Sequence, residues 1–231
     1  MRTMIAAGLL ISAFSLTTQA EETEQWVKLF DGQTLEGWNH DDSYWSVQDE
    51  AITGQTTPDH LLMGYNTFCV LKDREPANFQ LRLKYKIVGG NSGVQYRSRV
   101  IDEKKWIVGG YQADIDSSPT YTGINYDERG RGILAKRGES VTIAADGTKS
   151  TIPFAGATSL QELVVEQEDW NDYLIVARGN HLQHFVNGVL MSEVIDHETE
   201  KGASKGVIAL QAHAGPAMTV QFKDIELLNL D

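Results

Sequence analysis

The sequence predicts an all-β protein, a sandwich of two antiparallel sheets. Short apolar runs recur along the 231 residues, and 21 glycines but only five prolines punctuate them. Short runs bounded by glycine-containing turns are typical of strands joined by hairpins. Helical periodicity is weak, with short candidates only at 160–168 and 60–65. A high density of strands without alternating helices favours two packed antiparallel sheets.

The clearest strand covers residues 79–87, where apolar and polar side chains alternate. Successive side chains of a strand point to opposite faces, so this pattern predicts one buried and one solvated face. The side chains predicted to lie in the core are Phe79, Leu81, Leu83, Tyr85 and Ile87.

Further strands follow in order along the chain. The next are predicted at 92–100, after a Gly-Gly-Asn turn, and at 111–116, which reads YQADID. A hairpin is predicted from strands at 172–178 and 181–186, and Asn187-Gly188 predicts a second turn because this dipeptide tolerates positive φ. The last two strands are predicted at 206–213 and 218–228, with a β-bulge after Phe222, where the apolar phase shifts.

The first 20 residues have the pattern of a secretory signal peptide. A basic start precedes an apolar stretch and a small-residue cleavage pattern ending at Ala20. We therefore expect an exported protein, periplasmic or extracellular, with residues 21–231 as one domain and no membrane insertion after cleavage. The stretch is short for a stable membrane span, which leaves an N-terminal anchor as the weaker alternative.

Charge and cysteine content narrow the possible partners. The formal net charge of −12 argues against nucleic acids and anionic membranes as partners, since both are polyanionic. The single cysteine, Cys69, cannot form an intramolecular disulfide and lies in an apolar run, which indicates a buried thiol without a chemical role.

Three predicted strands place polar side chains on one open face. In YQADID, Tyr111, Ala113 and Ile115 face inward, so the acidic row faces outward. A row of carboxylates on one strand is repulsive unless it faces a cation, a polyol or both. The predicted open-face residues are Gln95 and Arg97 on the first strand, Gln112, Asp114 and Asp116 on the second, and Gln211 and His213 on the third.

Six segments, in order and with their spacing, resemble the 3-keto-disaccharide hydrolase family over residues 25–230. They read LFDGQTLEGW at 29–38, NSGVQYR at 91–97, YTGINYDERGRG at 121–132, FVNG at 185–188, GVIALQAH at 206–213 and VQFKDIELLNL at 220–230. The resemblance implies a concanavalin A-like jelly roll, bacterial export, and cleavage of glycosides already oxidised to a ketone at carbon 3, by a hydrolase, lyase or hydratase route.

That activity needs a base, a stabiliser of the enolate and a proton donor. As a hypothesis, Asp114 or Asp116 removes the carbon-2 proton, Arg97 and Arg131 stabilise the enolate, and His213 supplies a proton. Tyr111, Tyr121 or Tyr126 could also deliver the proton. A divalent metal held by the acids and His213 could replace an arginine. The residues expected to contact the sugar are Gln95, Arg97, Gln112, Tyr121, Tyr126 and Gln211.

Three alternatives remain from the sequence. The polar face could be an ordinary solvated surface. The protein could bind an oligosaccharide or glycoside without cleaving it, because lectins share the fold and a fold does not determine function. A conventional endoglucanase of this fold would carry a Glu-x-Asp-x-x-Glu strand, and the sequence contains none.

Overall fold

The computed structural model describes residues 25–230, which form 17 strands and one short helix. In chain order these are β1 (Val27–Lys28), β2 (Trp38–Asn39), β3 (Trp45–Gln48), β4 (Ala51–Thr56), β5 (Thr67–Leu71), β6 (Phe79–Val88), β7 (Asn91–Asp102), β8 (Ile107–Asp116), β9 (Asn125–Glu128), β10 (Gly132–Ala135), β11 (Glu139–Ile143), β12 (Lys149–Pro153), α1 (Ala157–Val164), β13 (Asn171–Arg178), β14 (His181–Val186), β15 (Val189–Asp196), β16 (Val207–Ala212) and β17 (Met218–Asn229).

The strands form two sheets, as predicted. The larger has ten strands in the order β12-β11-β15-β14-β13-β6-β17-β4-β3, with β1 paired to β17. The smaller has seven, in the order β10-β9-β8-β7-β16-β5-β2. Within the described part of the chain, the one parallel pairing of named strands is β11 with β15, and residues 144–188 supply the long crossover that parallel neighbours require. The fold is a jelly-roll sandwich.

Strand alternation predicted the core correctly. Every residue assigned to the buried face of β6 is at most 5% exposed, and Leu83 is 3% exposed. Tyr111, Ala113 and Ile115 of β8 also lie in the main core, where they pack with side chains from the larger sheet. Cys69 is buried there as well, and burial raises the pKa of its thiol. Burial of these apolar faces between the sheets is the main stabilising term of the fold.

Turns and bulges were partly predicted. Asn187 and Gly188 have φ of 48° and 79°, which confirms the predicted hairpin turn. The bulge in β17 is confirmed by a register shift between Lys223 and Glu226. The helix begins and ends earlier than the predicted 160–168.

The predicted helix at 60–65 is wrong. His60 forms an isolated β-bridge with Thr57, and Gly64 has φ of 82°, which an α-helix cannot accommodate.

The predicted signal peptide, residues 1–20, lies outside the described residues. Within residues 25–230, the structure contains no helix that is both long and apolar enough to cross a membrane.

The outer face of the smaller sheet has two different parts. One part is covered by a small apolar cluster of Phe68, Val70, Val108 and Ala209. The other part carries the glutamines and acids of β7, β8 and β16. Their alternation with core residues places them on the same outer face, and a cavity opens there.

Candidate functional site

A cavity of about 270 Å³ lies over the polar part of the smaller sheet. Strands β7, β8, β9 and β10 contribute to it, together with the segments that follow β8 and β16. The cavity therefore combines residues that are far apart in the sequence. Its lining consists of Asn91, Gln112, Asp114, Tyr121, Ile124, Tyr126, Glu128, Ile133 and His213.

A directed chain of hydrogen bonds ends at Asp114. The Ser98 hydroxyl donates to Oε1 of Gln95 at 2.6 Å, and Nε2 of Gln95 donates to Oε1 of Gln112 at 2.6 Å. Nε2 of Gln211 donates to the same Gln112 oxygen at 3.1 Å. Because two donors occupy that oxygen, the amide N–H of Gln112 points to Oδ1 of Asp114. One carboxylate oxygen is thus held, and among residues 25–230 no hydrogen bond reaches Oδ2.

Gly93 makes room for this chain. It is the cross-strand partner of Asp114 on β7, and the side chain of Gln112 lies across it. A Cβ at this position would lie 2.6 Å from Cγ of Gln112, closer than real side chains approach. Glycine is therefore required at position 93, because any side chain there would occupy the space of the Gln112 amide.

The two carboxyls in the cavity lining have altered proton affinities. Burial raises the pKa of Asp114 well above its ordinary value. The hydrogen bond from Gln112 lowers this pKa, and the negative charge of Glu128 raises it further. Burial also raises the pKa of Glu128, although Asn66, Arg129 and His213 oppose this shift. Raised carboxyl pKa values are typical of groups that accept or donate protons near neutral pH.

Glu128 is connected to the strand end that carries His213. Nδ2 of Asn66 donates to Oε1 of Glu128 at 3.2 Å, and the backbone N–H of Ala214 donates to Oδ1 of Asn66 at 2.9 Å. Burial raises the pKa of Tyr126, and the charges of Glu128 and Asp114 add to this effect. The cavity thus combines two carboxyls, a histidine and two tyrosines.

Asp116, the alternative base, does not line the cavity. Its Oδ1 accepts the N–H of Ser118 at 2.9 Å, and its Oδ2 accepts the Ser118 hydroxyl at 2.9 Å and the N–H of Tyr121 at 3.2 Å. The strand ends at this residue, so its carboxylate organises the loop that follows. The expectation that Asp114 and Asp116 act in one open row is corrected accordingly.

Arg97 does not lie on the open face, so that prediction is wrong. The β7–β8 register shifts between Tyr96 and Arg99, and Arg97 itself has φ of 46°. This irregularity turns the side chain away from its expected direction. Its guanidinium donates to the carbonyls of Ala77 and Gly179.

Arg131 is also absent from the cavity lining, which corrects its expected role as an enolate stabiliser. It forms ion pairs with Asp127 at 2.7 Å, Asp196 at 2.8 Å and Glu198 at 3.0 Å. It lines a separate hollow of about 590 Å³. Tyr111, one possible proton donor, points inward and donates its hydroxyl to Asp196 at 2.6 Å.

The structure therefore divides the predicted residues into three groups. Those in the cavity lining are Gln112, Asp114, Tyr121, Tyr126 and His213. Gln95 and Gln211 are fully buried behind them and hold Gln112. The four predicted residues outside the lining are Asp116, Arg97, Arg131 and Tyr111.

Sequence reasoning missed four lining residues, Asn91, Ile124, Glu128 and Ile133. A signal for Glu128 was present, because it follows Tyr126 by two residues and strand alternation puts both on one face. Residues 127–132 read DERGRG, and this charged, glycine-containing composition is typical of a loop, which hides the end of β9 at Glu128.

The described residues do not provide the ligand set for the divalent metal considered from the sequence. No group of three or more His, Cys, Asp or Glu side chains within 25–230 is arranged to hold a metal ion.

Comparisons with known proteins identify the family and the fold. A family model described as a 3-keto-alpha-glucoside-1,2-lyase-like domain matches residues 25–228. Comparison with curated protein sequences finds no match.

Three solved structures illustrate the fold. Two candidate glycosyl hydrolases of Parabacteroides distasonis are 22% and 18% identical to this chain, with TM-scores of 0.56 and 0.57. The alignments cover 89% and 93% of this chain and 100% and 98% of theirs. A carbohydrate-binding module of Bacillus subtilis is 14% identical, with a TM-score of 0.53, over 84% of this chain and 96% of its own. At these identities the likeness shows the fold alone.

Proposed function

Since the chain belongs to the family of 3-keto-alpha-glucoside-1,2-lyase-like domains, a carbohydrate-related family, we propose that it cleaves glycosides oxidised to a ketone at carbon 3. The ketone acidifies the hydrogen on carbon 2, so a carboxylate can remove it. The electrons of the broken C–H bond form an enolate, which then expels the aglycone oxygen from carbon 1 and leaves a double bond between carbons 1 and 2. Addition of water to that double bond afterwards gives the hydrolase outcome.

The observation that carries this proposal is the setting of Asp114. The residue is 5% exposed, its pKa is raised by burial, and the Gln112 amide fixes one carboxylate oxygen. A carboxylate with a raised pKa is a stronger base, and a fixed orientation lowers the entropic cost of reaching the proton. We assign the carbon-2 proton to Oδ2, the oxygen that Gln112 does not hold.

Neutral donors would stabilise the enolate in this arrangement. Asn91 and Tyr126 belong to the cavity lining, and each side chain carries a neutral hydrogen-bond donor. Hydrogen bonds aimed at a developing oxyanion in a partly buried site stabilise the transition state more than they would in water. These two groups take the role that the sequence hypothesis gave to Arg97 and Arg131.

The departing aglycone oxygen needs a proton, and Glu128 with His213 can supply it. Burial raises the pKa of Glu128, so this carboxyl holds a proton more strongly than a solvated glutamate. His213 lines the same cavity. Burial raises the pKa of Asp114 as well, so the two roles are divided by position: Gln112 orients Asp114 as the base, and Glu128, joined through Asn66 to the segment that carries His213, is the donor.

Turnover of a 3-keto-glucoside by matched variants tests the assignment. Asp114→Asn keeps the shape and an acceptor for Gln112 but removes the base, so the rate should fall by about two to four orders of magnitude. Asp172→Asn is the control, because Asp172 lies on the larger sheet and pairs with Lys84 in solvent. Equal rates in the two variants would exclude Asp114 as the base.

A non-catalytic role in carbohydrate binding is the second candidate. The likeness to a carbohydrate-binding module favours it at the level of fold. Binding of the keto-glucoside without aglycone release by the wild-type protein would support this candidate and overturn the first.

We also propose that the protein is exported after removal of residues 1–20, as their sequence pattern predicts. The intact mass of secreted material measures this directly. A mass that still includes these residues would contradict the proposal.

A further inference from the structure

The cavity has an apolar rim in addition to its proton-transfer groups. Tyr121 and Ile133 line it and are 43% and 37% exposed, so two large apolar side chains face solvent at its edge. Ile133 on β10 is the cross-strand partner of Tyr126 on β9, which places these two side chains on the same face. We call Tyr121, Tyr126 and Ile133 the apolar rim.

Two buried charges hold the loop that carries Tyr121. The Asp116 carboxylate accepts the N–H of Tyr121 at 3.2 Å. Arg137 donates to the carbonyl of Pro119 at 2.8 Å and to that of Thr122 at 2.6 Å. Asp116 and Arg137 are only 7% and 5% exposed. Burying charges is costly unless hydrogen bonds compensate for it. The hydrogen bonds of Asp116 and Arg137 to the loop provide this compensation and fix the conformation of the loop backbone.

The backbone around Ile133 is fixed as well. Gly132 has φ of 73°, and the β10–β9 register shifts between Ile133 and Ala135. Nζ of Lys149 donates to the carbonyl of Ile133 at 2.6 Å. The exposed Ile133 therefore lies on an irregular strand whose backbone is held by the hydrogen bond from Lys149.

From this arrangement we propose that the apolar rim binds the aglycone and selects glycosides whose aglycone is apolar or aromatic. This inference rests on the proposed function. A cavity of about 270 Å³ is at the lower limit for small-molecule pockets, which are roughly 300–1,000 Å³. It accommodates one sugar ring, so the aglycone extends past the rim. A second sugar could stack on the tyrosines, but its hydroxyl groups would gain nothing from the aliphatic side chain of Ile133.

The test compares phenyl 3-keto-glucoside with methyl 3-keto-glucoside and a 3-keto-disaccharide. Tyr121→Ser and Ile133→Ser should each lower kcat/KM for the phenyl substrate about tenfold, the usual effect of one apolar contact. For the methyl substrate and the disaccharide the change should stay below about threefold. The loss should appear mainly in KM, because the side chains of Tyr121 and Ile133 contact the aglycone and not the reacting carbon.

Ile101→Ser is the matched control. Ile101 is 47% exposed and lies at the opposite end of β7 from Asn91. Its substitution should therefore leave kcat/KM unchanged for all three substrates. Thermal unfolding of each variant verifies that these exposed sites leave the fold intact.

The outcomes separate the two proposals. If the wild type cleaves all three substrates but the rim variants affect them equally, or not at all, the role of the apolar rim is overturned and the proposed function stands. If the wild type cleaves no keto-glycoside, the proposed function fails and the rim proposal fails with it.

Discussion

Gly93→Ala should damage the site without touching any ionisable group. The added Cβ would lie 2.6 Å from Cγ, 2.7 Å from Cδ and 2.8 Å from Nε2 of Gln112. The Gln112 side chain must therefore move. That side chain accepts hydrogen bonds from Gln95 and Gln211 and donates one to Asp114. Its displacement by one methyl group would therefore weaken or break up to three buried hydrogen bonds.

The expected magnitudes follow from those contacts. Each hydrogen bond contributes about 0.5–1.5 kcal/mol net, so losing two or three should lower the free energy of unfolding by about 1–4 kcal/mol. Asp114 would also lose the amide that orients it, and misplacement of a reacting group by about 1 Å can cost about 100-fold in rate. We therefore expect a fall in kcat of about 10- to 100-fold.

Denaturant unfolding and turnover of a 3-keto-glucoside measure the two effects on the same protein. Gly156→Ala is the control, because its Cβ would meet Ser159 at an ordinary 3.5 Å; it should cost at most the roughly 1 kcal/mol of a poorer helix cap. If Gly93→Ala matches this control in both stability and rate, the hydrogen-bonded chain does not position Asp114.

Three other substitutions probe buried groups. Burial raises the pKa of Asp114, so ionising this carboxyl costs stability once the pH rises above its ordinary value of about 4, and the stability that Asp114→Asn gains over the wild type should grow with pH; a gap that narrows as pH rises would contradict this. Burial lowers the pKa of His184 to about 3, so its contribution is present above about pH 6.5 and is lost at up to about 1.4 kcal/mol per pH unit on acidification. Denaturation at several pH values should therefore show that the free energy of unfolding falls less steeply on acidification in His184→Gln than in the wild type or in exposed His197→Gln. Equal falls in all three proteins would show that His184 does not cause the acid sensitivity. Leu83→Ala should cost about 2–5 kcal/mol, whereas Val88→Ala, 46% exposed on the same strand, should cost under about 0.5 kcal/mol; similar losses would mean that the faces of β6 are misassigned.

The sequence determines strand faces well where alternation is regular. The core face of β6 and the inward residues of β8 follow from a period of two, and the structure confirms them. The same rule places Gln112 and Asp114 on the outer face, where the cavity lies. Regular alternation works because the core is continuous, so a shift of one residue would expose its whole apolar set.

Irregular backbone defeats the same rule. Arg97 follows Gln95 by two residues, yet the register shift after Tyr96 turns it away from the face that Gln95 occupies. Alternation reveals a bulge only where the apolar phase shifts, as it does after Phe222; Val94, Tyr96 and Val100 keep one phase across Arg97, so alternation does not reveal this one.

Long-range ion pairs and strand ends account for the remaining errors. Arg131 is drawn to Asp196 and Glu198, which are more than 60 residues away in the sequence, and no local pattern indicates that pairing. Asp116 is the last residue of its strand, so its carboxylate serves the following loop. Glu128 is hidden in the sequence for a different reason, because it lies in the loop-like segment DERGRG although β9 extends to it.

The central claim is that the ketone at carbon 3 makes cleavage possible, and one comparison tests it most directly. The wild-type protein is incubated with a 3-keto-glucoside and with the same glucoside unoxidised, and aglycone release is measured for both. Removal of the carbon-2 proton requires the neighbouring ketone, so release is expected from the keto substrate alone. Release from both substrates at equal rates would contradict the mechanism.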